Sequence, residues 1–251
     1  MITEPTKPKS SNPAQIRRFD LIIAIVVSLT IGFAAARIYS TSSAVVADAF
    51  HVLYYKDATH TWKSTNWLGT PIEKCPFDTW IYQELIWETK PDVLLEMGTF
   101  KGGSAKYFAS LFDLMGHGRV ITVDIERYPN LPQHPRITYL LGSSTSDAVV
   151  SQIKQLIQPG ERVMAVLDSD HRQAHVLQEL RIYGRMVSRG QYLVVEDTNL
   201  NGHPVEPRGG DPGPWGAVHE FLKSNHDYIQ DRSREKFKVT FYPGGWLKRV
   251  Q

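Results

Sequence analysis

Asp92-Val93-Leu94-Leu95-Glu96-Met97-Gly98-Thr99-Phe100-Lys101-Gly102-Gly103-Ser104 is the stretch whose reading decides the fold. A continuous apolar run closes at a glycine. Two further glycines and a serine then open a helical pattern that continues to Met115, giving strand, tight turn and helix. A short apolar strand without alternation is buried on both faces, as strands of a parallel sheet are. Outward from this unit, Arg119–Asp124, Ile137–Leu141, Arg162–Leu167 and Gln191–Val195 repeat the same character, separated by helical or turn sequence. Helices are expected over Arg172–Val187 and Trp215–Asn225. Phe237–Tyr242 and Trp246–Val250, joined by Pro243-Gly244-Gly245, read as a hairpin. Alternating strands and helices that finish in an antiparallel hairpin predict an α/β fold: a doubly wound sheet with one reversed strand at its edge.

The chain of 251 residues, 42% hydrophobic and 22% charged, has the profile of one globular domain with some sequence to spare. A formal net charge of +2, with no stretch combining dense Lys and Arg with aromatics, argues against a nucleic-acid partner. Cys75 is the single cysteine, so no internal disulfide framework exists, and it reads as a packed small hydrophobe. The expected division is a disordered polar tail over 1–19, an apolar helix over 20–39, a helical and aromatic extension over 40–90 and the main domain over 91–251. Leu21–Ala36 carries no charge and is flanked by Arg17, Arg18, Asp20 and Arg37. It reads as a membrane anchor, a cleaved signal ending at Ala34-Ala35-Ala36, or a buried or interfacial helix; the anchor is preferred. Membrane attachment through 21–39, at the plasma membrane with the catalytic domain in the cytoplasm, is therefore the expectation.

In an open α/β sheet the ligand crevice lies beyond the carboxyl ends of the strands. After the first strand, Gly98, Gly102 and Gly103 allow close backbone approach, and the helix start at Ser104 offers free N–H groups. The turn matches neither G-x-G-x-x-G nor the phosphate-cradling pattern ending in Gly-Lys-Ser/Thr, so a pyrophosphate is not its obvious guest. A nucleotide-like ligand carrying a carboxylate and an ammonium suits it. Asp124 closes the second strand, where it can accept from a ribose diol, and Ser143 and Ser144 follow the third. Each alone also fits a structural turn or a helix cap.

The next two strand ends carry the densest chemistry. Leu167-Asp168-Ser169-Asp170-His171 closes one and Val195-Glu196-Asp197-Thr198-Asn199 the other, bringing four carboxylates and an imidazole to neighbouring positions. Carboxylates held this close raise one another's pKa unless a cation neutralises them, and all-oxygen ligation favours Mg²⁺. In the structural alternative Asp168 and Asp170 cap the following helix, while Glu196 and Asp197 pair with Arg172 or Arg208. A non-haem iron site would need His171 and His175 on one face with a carboxylate.

Trp67-Leu68-Gly69, Lys74-Cys75-Pro76-Phe77-Asp78-Thr79-Trp80-Ile81-Tyr82-Gln83-Glu84, the Glu96–Ser104 turn, Asp168–His171 and Glu196-Asp197 together resemble the rhamnosyl O-methyltransferase and cephalosporin hydroxylase family. The likeness runs from about Phe50 to Arg249. It implies a Rossmann-like class I methyltransferase fold, S-adenosylmethionine and Mg²⁺ as cofactors, and a homo-oligomer. By motif, Glu96, Gly98, Gly102, Gly103, Ser104 and Asp124 would hold the cofactor, with Ser144 beside them. Glu196 and Asp197 would hold the metal, joined by Asp168 in preference to Asp170. His171 falls where related sugar methyltransferases keep a general base.

The reaction so implied is methylation of a hydroxyl on a sugar, glycolipid or related metabolite. Hydroxylation of a cephalosporin-type scaffold and a non-catalytic envelope assembly role are the alternatives. Asn199–Pro214, rich in glycine and proline, reads as a substrate lid or a solvated loop, with Asn201, His203, Glu206 and Arg208 as candidate contacts. Trp62, Trp67, Trp80 and Trp87 read as sugar-stacking rings or as core and subunit contacts.

Overall fold

The computed structural model describes residues 13–205 and 210–251. The tail before Pro13 and the loop candidates Glu206 and Arg208 thus lie outside the described residues. The chain divides into two compact units, Met1–Ala47 and Asp48–Gln251. Helix α1 spans Pro13–Lys56. Among the described residues no helix is long and apolar enough to cross a membrane. This overturns the expected membrane location: a spanning helix needs about 20 apolar residues, and the charge-free run stops at Arg37 after including Ser28, Thr30 and Gly32.

The second unit begins with a small ribbon, β1 (Asn66–Trp67) and β2 (Thr70–Pro71), and helix α2 (Pro76–Thr89). Alternation then sets in: β3 (Val93–Met97), α3 (Gly103–Met115), β4 (Arg119–Asp124), β5 (Ile137–Leu141), α4 (Asp147–Leu156), β6 (Val163–Leu167), α5 (Gln173–Tyr183), β7 (Tyr192–Val195), α6 (Gly213–Ser224), β8 (Tyr228–Gln230) and β9 (Trp246–Arg249). The seven-stranded sheet runs β5-β4-β3-β6-β7-β9-β8. From β5 to β7 all pairings are parallel; β9 lies antiparallel to both neighbours. Strand order reverses at β3, and the crevice beside it is where such sheets bind ligands.

The last element differs from the expected hairpin. Strand β9 slots between β7 and β8, with Leu247 opposite both Leu193 and Gln230. Both of its hydrogen-bonding edges are filled, so no edge remains for Phe237–Tyr242. That segment is a non-strand connection with Val239, Phe241 and Tyr242 buried.

Alternate residues of each strand feed opposite faces. Leu94, Val120, Met164, Val166, Tyr192 and Val194 join one apolar cluster with Tyr82, Phe108 and Trp246. Val93, Leu95, Ile121, Ala165 and Leu193 join a second with Leu180, Val218 and Phe221. Each fully buried large apolar side chain contributes roughly 1.5–3 kcal/mol, so two filled layers fix the register. That register matters for the site: Met97 pairs with both Val123 and Leu167, and Leu167 with Val195. Gly98, Asp124, Asp168 and Glu196 are the next residues on their strands and emerge side by side.

Candidate active site at the strand tips

A cavity of about 600 Å³ opens over these tips, within the roughly 300–1,000 Å³ of small-molecule sites. Its wall includes Gly98, Gly103, Ser104, Asp124 and Ser144. Gly98 has φ +105, and a Cβ there would meet the Asp168 carbonyl oxygen at 2.0 Å, so only glycine lets the β3 turn lie against the β6 tip. Asp124 accepts from Phe100 N at 2.8 Å and Glu126 N at 3.0 Å, which holds its carboxylate at the rim with lone pairs to spare. Ser144 Oγ donates to Glu179 Oε1 at 2.5 Å.

Glu96 and Gly102 take other places. Glu96 is buried behind the turn, where Thr122 Oγ1 donates to its Oε2 at 2.6 Å and its Oε1 has no hydrogen-bond partner. Burial pushes its pKa up to about 7 against the opposing charge of Lys74. Gly102 is the left-handed residue before α3, at φ 76.

The acidic tips sort into separate arrangements. Asp168, His171 and Asp197 converge, each offering one ligand atom within 4.8 Å of the others. His171 Nε2 lies 3.2 Å from Asp197 Oδ2 and 3.5 Å from Asp168 Oδ1. Burial would lower the imidazole's pKa, but the charges of Asp197 and Asp168 outweigh it and raise it to about 9. Asp197 adopts a left-handed backbone at φ 56, which an aspartate tolerates better than most residues. Asp170 instead accepts from Arg172 N at 2.9 Å and pairs with the Arg172 guanidinium. His175 turns to Ser144, Ser169 and Glu179. The two histidines face different partners, so the two-histidine iron arrangement is not assembled.

Glu196 points into the protein. Tyr82 Oη donates to its Oε1 at 2.7 Å, and Tyr242 Oη donates to its Oε2 at 2.6 Å. Lys74 Nζ donates to the same Oε2 at 2.5 Å and to Asp168 Oδ2 at 2.8 Å. Burial and the charge of Asp168 push the Glu196 carboxyl up. Lys74, Tyr82 and Tyr242 all donate to that carboxylate, however, so the ionised form fits the network. Burial alone would lower the Lys74 pKa; Asp168 and Glu196 raise it above the usual lysine range. Burial opposes ionisation of Asp168, but Lys74 and then His171 hold it well below the usual carboxylate range.

Lys74, Tyr82 and Tyr242 were not singled out as site residues from the sequence. The signal available was a charge imbalance: four strand-tip carboxylates require a cation from elsewhere in the chain. Of the four tryptophans considered as sugar-stacking rings, Trp62 lines the cavity, packed against Tyr55 and Phe241 at 5.2 and 5.8 Å between ring centroids. Trp80 and Trp87 are exposed. Trp67 packs on Tyr107. In the described part of the expected lid, Asn199 is buried against His51 and His203 stacks on Trp215. Cys75 is fully buried and its thiol pKa is pushed up by burial, as a packed residue's would be.

The strand order, the single reversed strand and the glycine turn beside clustered strand-tip acids define a class I methyltransferase fold. A solved structure of CmcI with Mg-SAM shares it, with TM-score 0.57 and 21% identity over 75% of this chain and 78% of that chain. The model for the family Rhamnosyl O-methyltransferase/CmcI matches residues 59–250. The rhamnosyl O-methyltransferase of Mycobacterium tuberculosis is 40% identical over 232 residues, 89% of this chain and 93% of that protein. The Mycobacterium leprae rhamnosyl O-methyltransferase is 38% identical over 211 residues, 81% of this chain and 90% of that protein. The chain belongs to the rhamnosyl O-methyltransferase/CmcI family.

Proposed function

We propose that this enzyme transfers the methyl group of S-adenosylmethionine to a hydroxyl of a rhamnosyl or related deoxysugar unit, free or carried on a glycolipid, with Mg²⁺ as cofactor. The observation that carries the reading is the Asp168–His171–Asp197 cluster opening onto the same cavity as the Gly98–Ser104 turn. The residues fit both groups. The glycine-permitted approach at Gly98, the rim carboxylate of Asp124 and the hydroxyl of Ser144 suit a nucleoside bearing an amino-acid end. Oxygen-rich ligation by Asp168 and Asp197 suits a hard divalent ion.

Mg²⁺, when bound, lowers the pKa of the attacking hydroxyl. Asp168 and Asp197 would hold it. His171 Nε2, facing both carboxylates, would accept the proton from the acceptor hydroxyl once a cation held by those carboxylates offsets the charge that raises the imidazole's pKa to about 9. The wall at Trp62 and Phe241 excludes water and orients the sugar, and orientation of the two substrates accounts for much of the rate. Relatives named rhamnosyl O-methyltransferase support the acceptor class. The test is incubation of the full chain with methyl-labelled S-adenosylmethionine, p-nitrophenyl α-L-rhamnoside and a rhamnose-bearing glycolipid. Label should enter a rhamnosyl acceptor and cease on addition of EDTA. No transfer to either acceptor, or transfer indifferent to EDTA, overturns the reading.

A further inference from the structure

One face of α5 carries His175, Glu179 and Tyr183, spaced four apart and so stacked along one side of the helix. All three reach the residues that follow β5 and β6. Tyr183 Oη donates to the Ser144 carbonyl oxygen at 2.5 Å, and Glu179 Oε1 receives the Ser144 hydroxyl at 2.5 Å and the Ser169 hydroxyl at 2.6 Å. His175 Nε2 lies 3.2 Å from each hydroxyl oxygen and 3.3 Å from Glu179 Oε1. Glu179 is fully buried and its Oε2 has no hydrogen-bond partner. A buried carboxylate left half-satisfied is costly, and a tie between helix and strand needs no charge, since Tyr183 already supplies one. The protons of this cluster point inward. Each serine has given its one hydroxyl hydrogen to Glu179, so His175 Nε2 can only donate, and lone pairs are what the serine oxygens have left. Ser144, Ser169 and His175 line the cavity, with Glu179 behind them.

We infer that Glu179 sets the base specificity of the donor site as a positioning residue: it holds the Ser144 and Ser169 hydroxyls as paired acceptors for an exocyclic amino group, so that an adenosyl donor is taken and its 6-oxo counterpart refused. This rests on the donor reading given above. The glycine turn after β3, Asp124 at the end of β4 and Ser144 after β5 succeed one another along the sheet, outward from the point where strand order reverses. A nucleoside with its amino-acid end on the turn and its ribose at Asp124 would carry its base on towards β5. The amino group of adenine offers two N–H groups where two acceptors converge on one carboxylate oxygen. The carbonyl of hypoxanthine brings lone pairs to lone pairs, and a site built to bind an N–H rejects the analogue that lacks it.

The full chain is titrated by calorimetry with S-adenosylhomocysteine and with S-inosylhomocysteine, its 6-oxo analogue, without metal or acceptor. Wild type should bind the adenosyl form at least about tenfold more tightly, the cost of leaving buried polar groups unpaired. Glu179→Met removes the carboxylate and frees both hydroxyls to turn and donate, so the affinity ratio should fall to within about threefold of unity. Ser169→Ala, which leaves Glu179 bound to Ser144, should lower the ratio as well, and it serves if Glu179→Met does not fold. Tyr183→Phe loosens the same tie between helix and strand without touching the hydroxyl protons. It should weaken both ligands alike and keep the wild-type ratio.

Equal binding of the two ligands by wild type overturns the inference. So does a ratio unchanged in Glu179→Met, or in Ser169→Ala where Glu179→Met does not fold. A ratio lost to the same extent in Tyr183→Phe would make the cluster a structural tie and also overturns it. Each of these results leaves the methyltransferase reading standing. Failure of wild type to bind either ligand removes the donor reading and this inference together.

Discussion

At the residue scale the site depends on where individual protons and charges reside. His171 lies between two carboxylates with its Nε2 towards both. Its replacement by alanine should lower kcat on a verified rhamnosyl acceptor by about 10²–10⁴-fold, the usual contribution of a general base, with S-adenosylhomocysteine affinity unchanged. Steady-state kinetics with parallel calorimetry separate the two effects. Asp78 offers a separate test, of stability. It ties the start of α2 to the segment carrying Tyr242, accepting from Thr240 Oγ1 at 2.5 Å and Phe241 N at 2.8 Å. Burial raises its pKa to about 7, against opposing contributions from Thr240, Phe241 and Lys74. A folded-state pKa above the unfolded one means the native state binds more protons between the two values. The associated stability is complete below about pH 4 and is lost as pH rises through about 7. The stability difference between wild type and Asp78→Asn should therefore shrink from pH 5 to pH 8 by at least on the order of 1 kcal/mol, as measured by urea unfolding. A difference independent of pH would show that Asp78 keeps the same protonation in both states.

At the element scale a close approach brings the glycine turn to its place. A Cβ on Gly103 would meet the Pro71 carbonyl oxygen at 2.0 Å, so the first turn of α3 rests directly on the backbone of β2. Neither backbone can yield without moving its element. Gly103→Ala should destabilise the fold by about 1–3 kcal/mol, typical of overpacking, and weaken donor binding through displacement of the turn. Thermal unfolding with and without S-adenosylhomocysteine measures both. Strand β9 shows the same logic in the sheet: inserted between β7 and β8, it leaves Thr240 and Tyr242 on a connection that reaches Asp78 and Glu196. A simple hairpin would have held that connection in the ladder, away from the site.

For the whole molecule, the cavity draws residues from the tips of β3, β4, β5, β6 and β7. A ligand there links strands on both sides of the switch point and should stabilise the folded unit as one. At a concentration of 100 times Kd, S-adenosylhomocysteine should add about 2.7 kcal/mol, raising Tm by about 5–11 °C for a domain of this size. Differential scanning fluorimetry over a concentration series tests it; a Tm independent of concentration would exclude binding at the cavity.

The sequence by itself determined the alternating α/β order, the glycine turn after β3 and the acidic ends of β6 and β7. These features are local: apolar runs, glycine conformations and the residue that follows a strand are set within a few positions. It also carried the family likeness, and with it the class of reaction. Tertiary structure decided which acids face one another. Asp168 and Asp197 meet His171, Asp170 pairs with its neighbour Arg172, and Glu196 turns inward to Lys74, Tyr82 and Tyr242. Those contacts join residues up to 122 positions apart, and the direction of a side chain at a strand tip depends on what the rest of the chain packs against it. The apolar run near the N-terminus misled for a related reason: hydropathy within a window registers the absence of charge, while crossing a bilayer demands an unbroken apolar length that no helix among the described residues supplies.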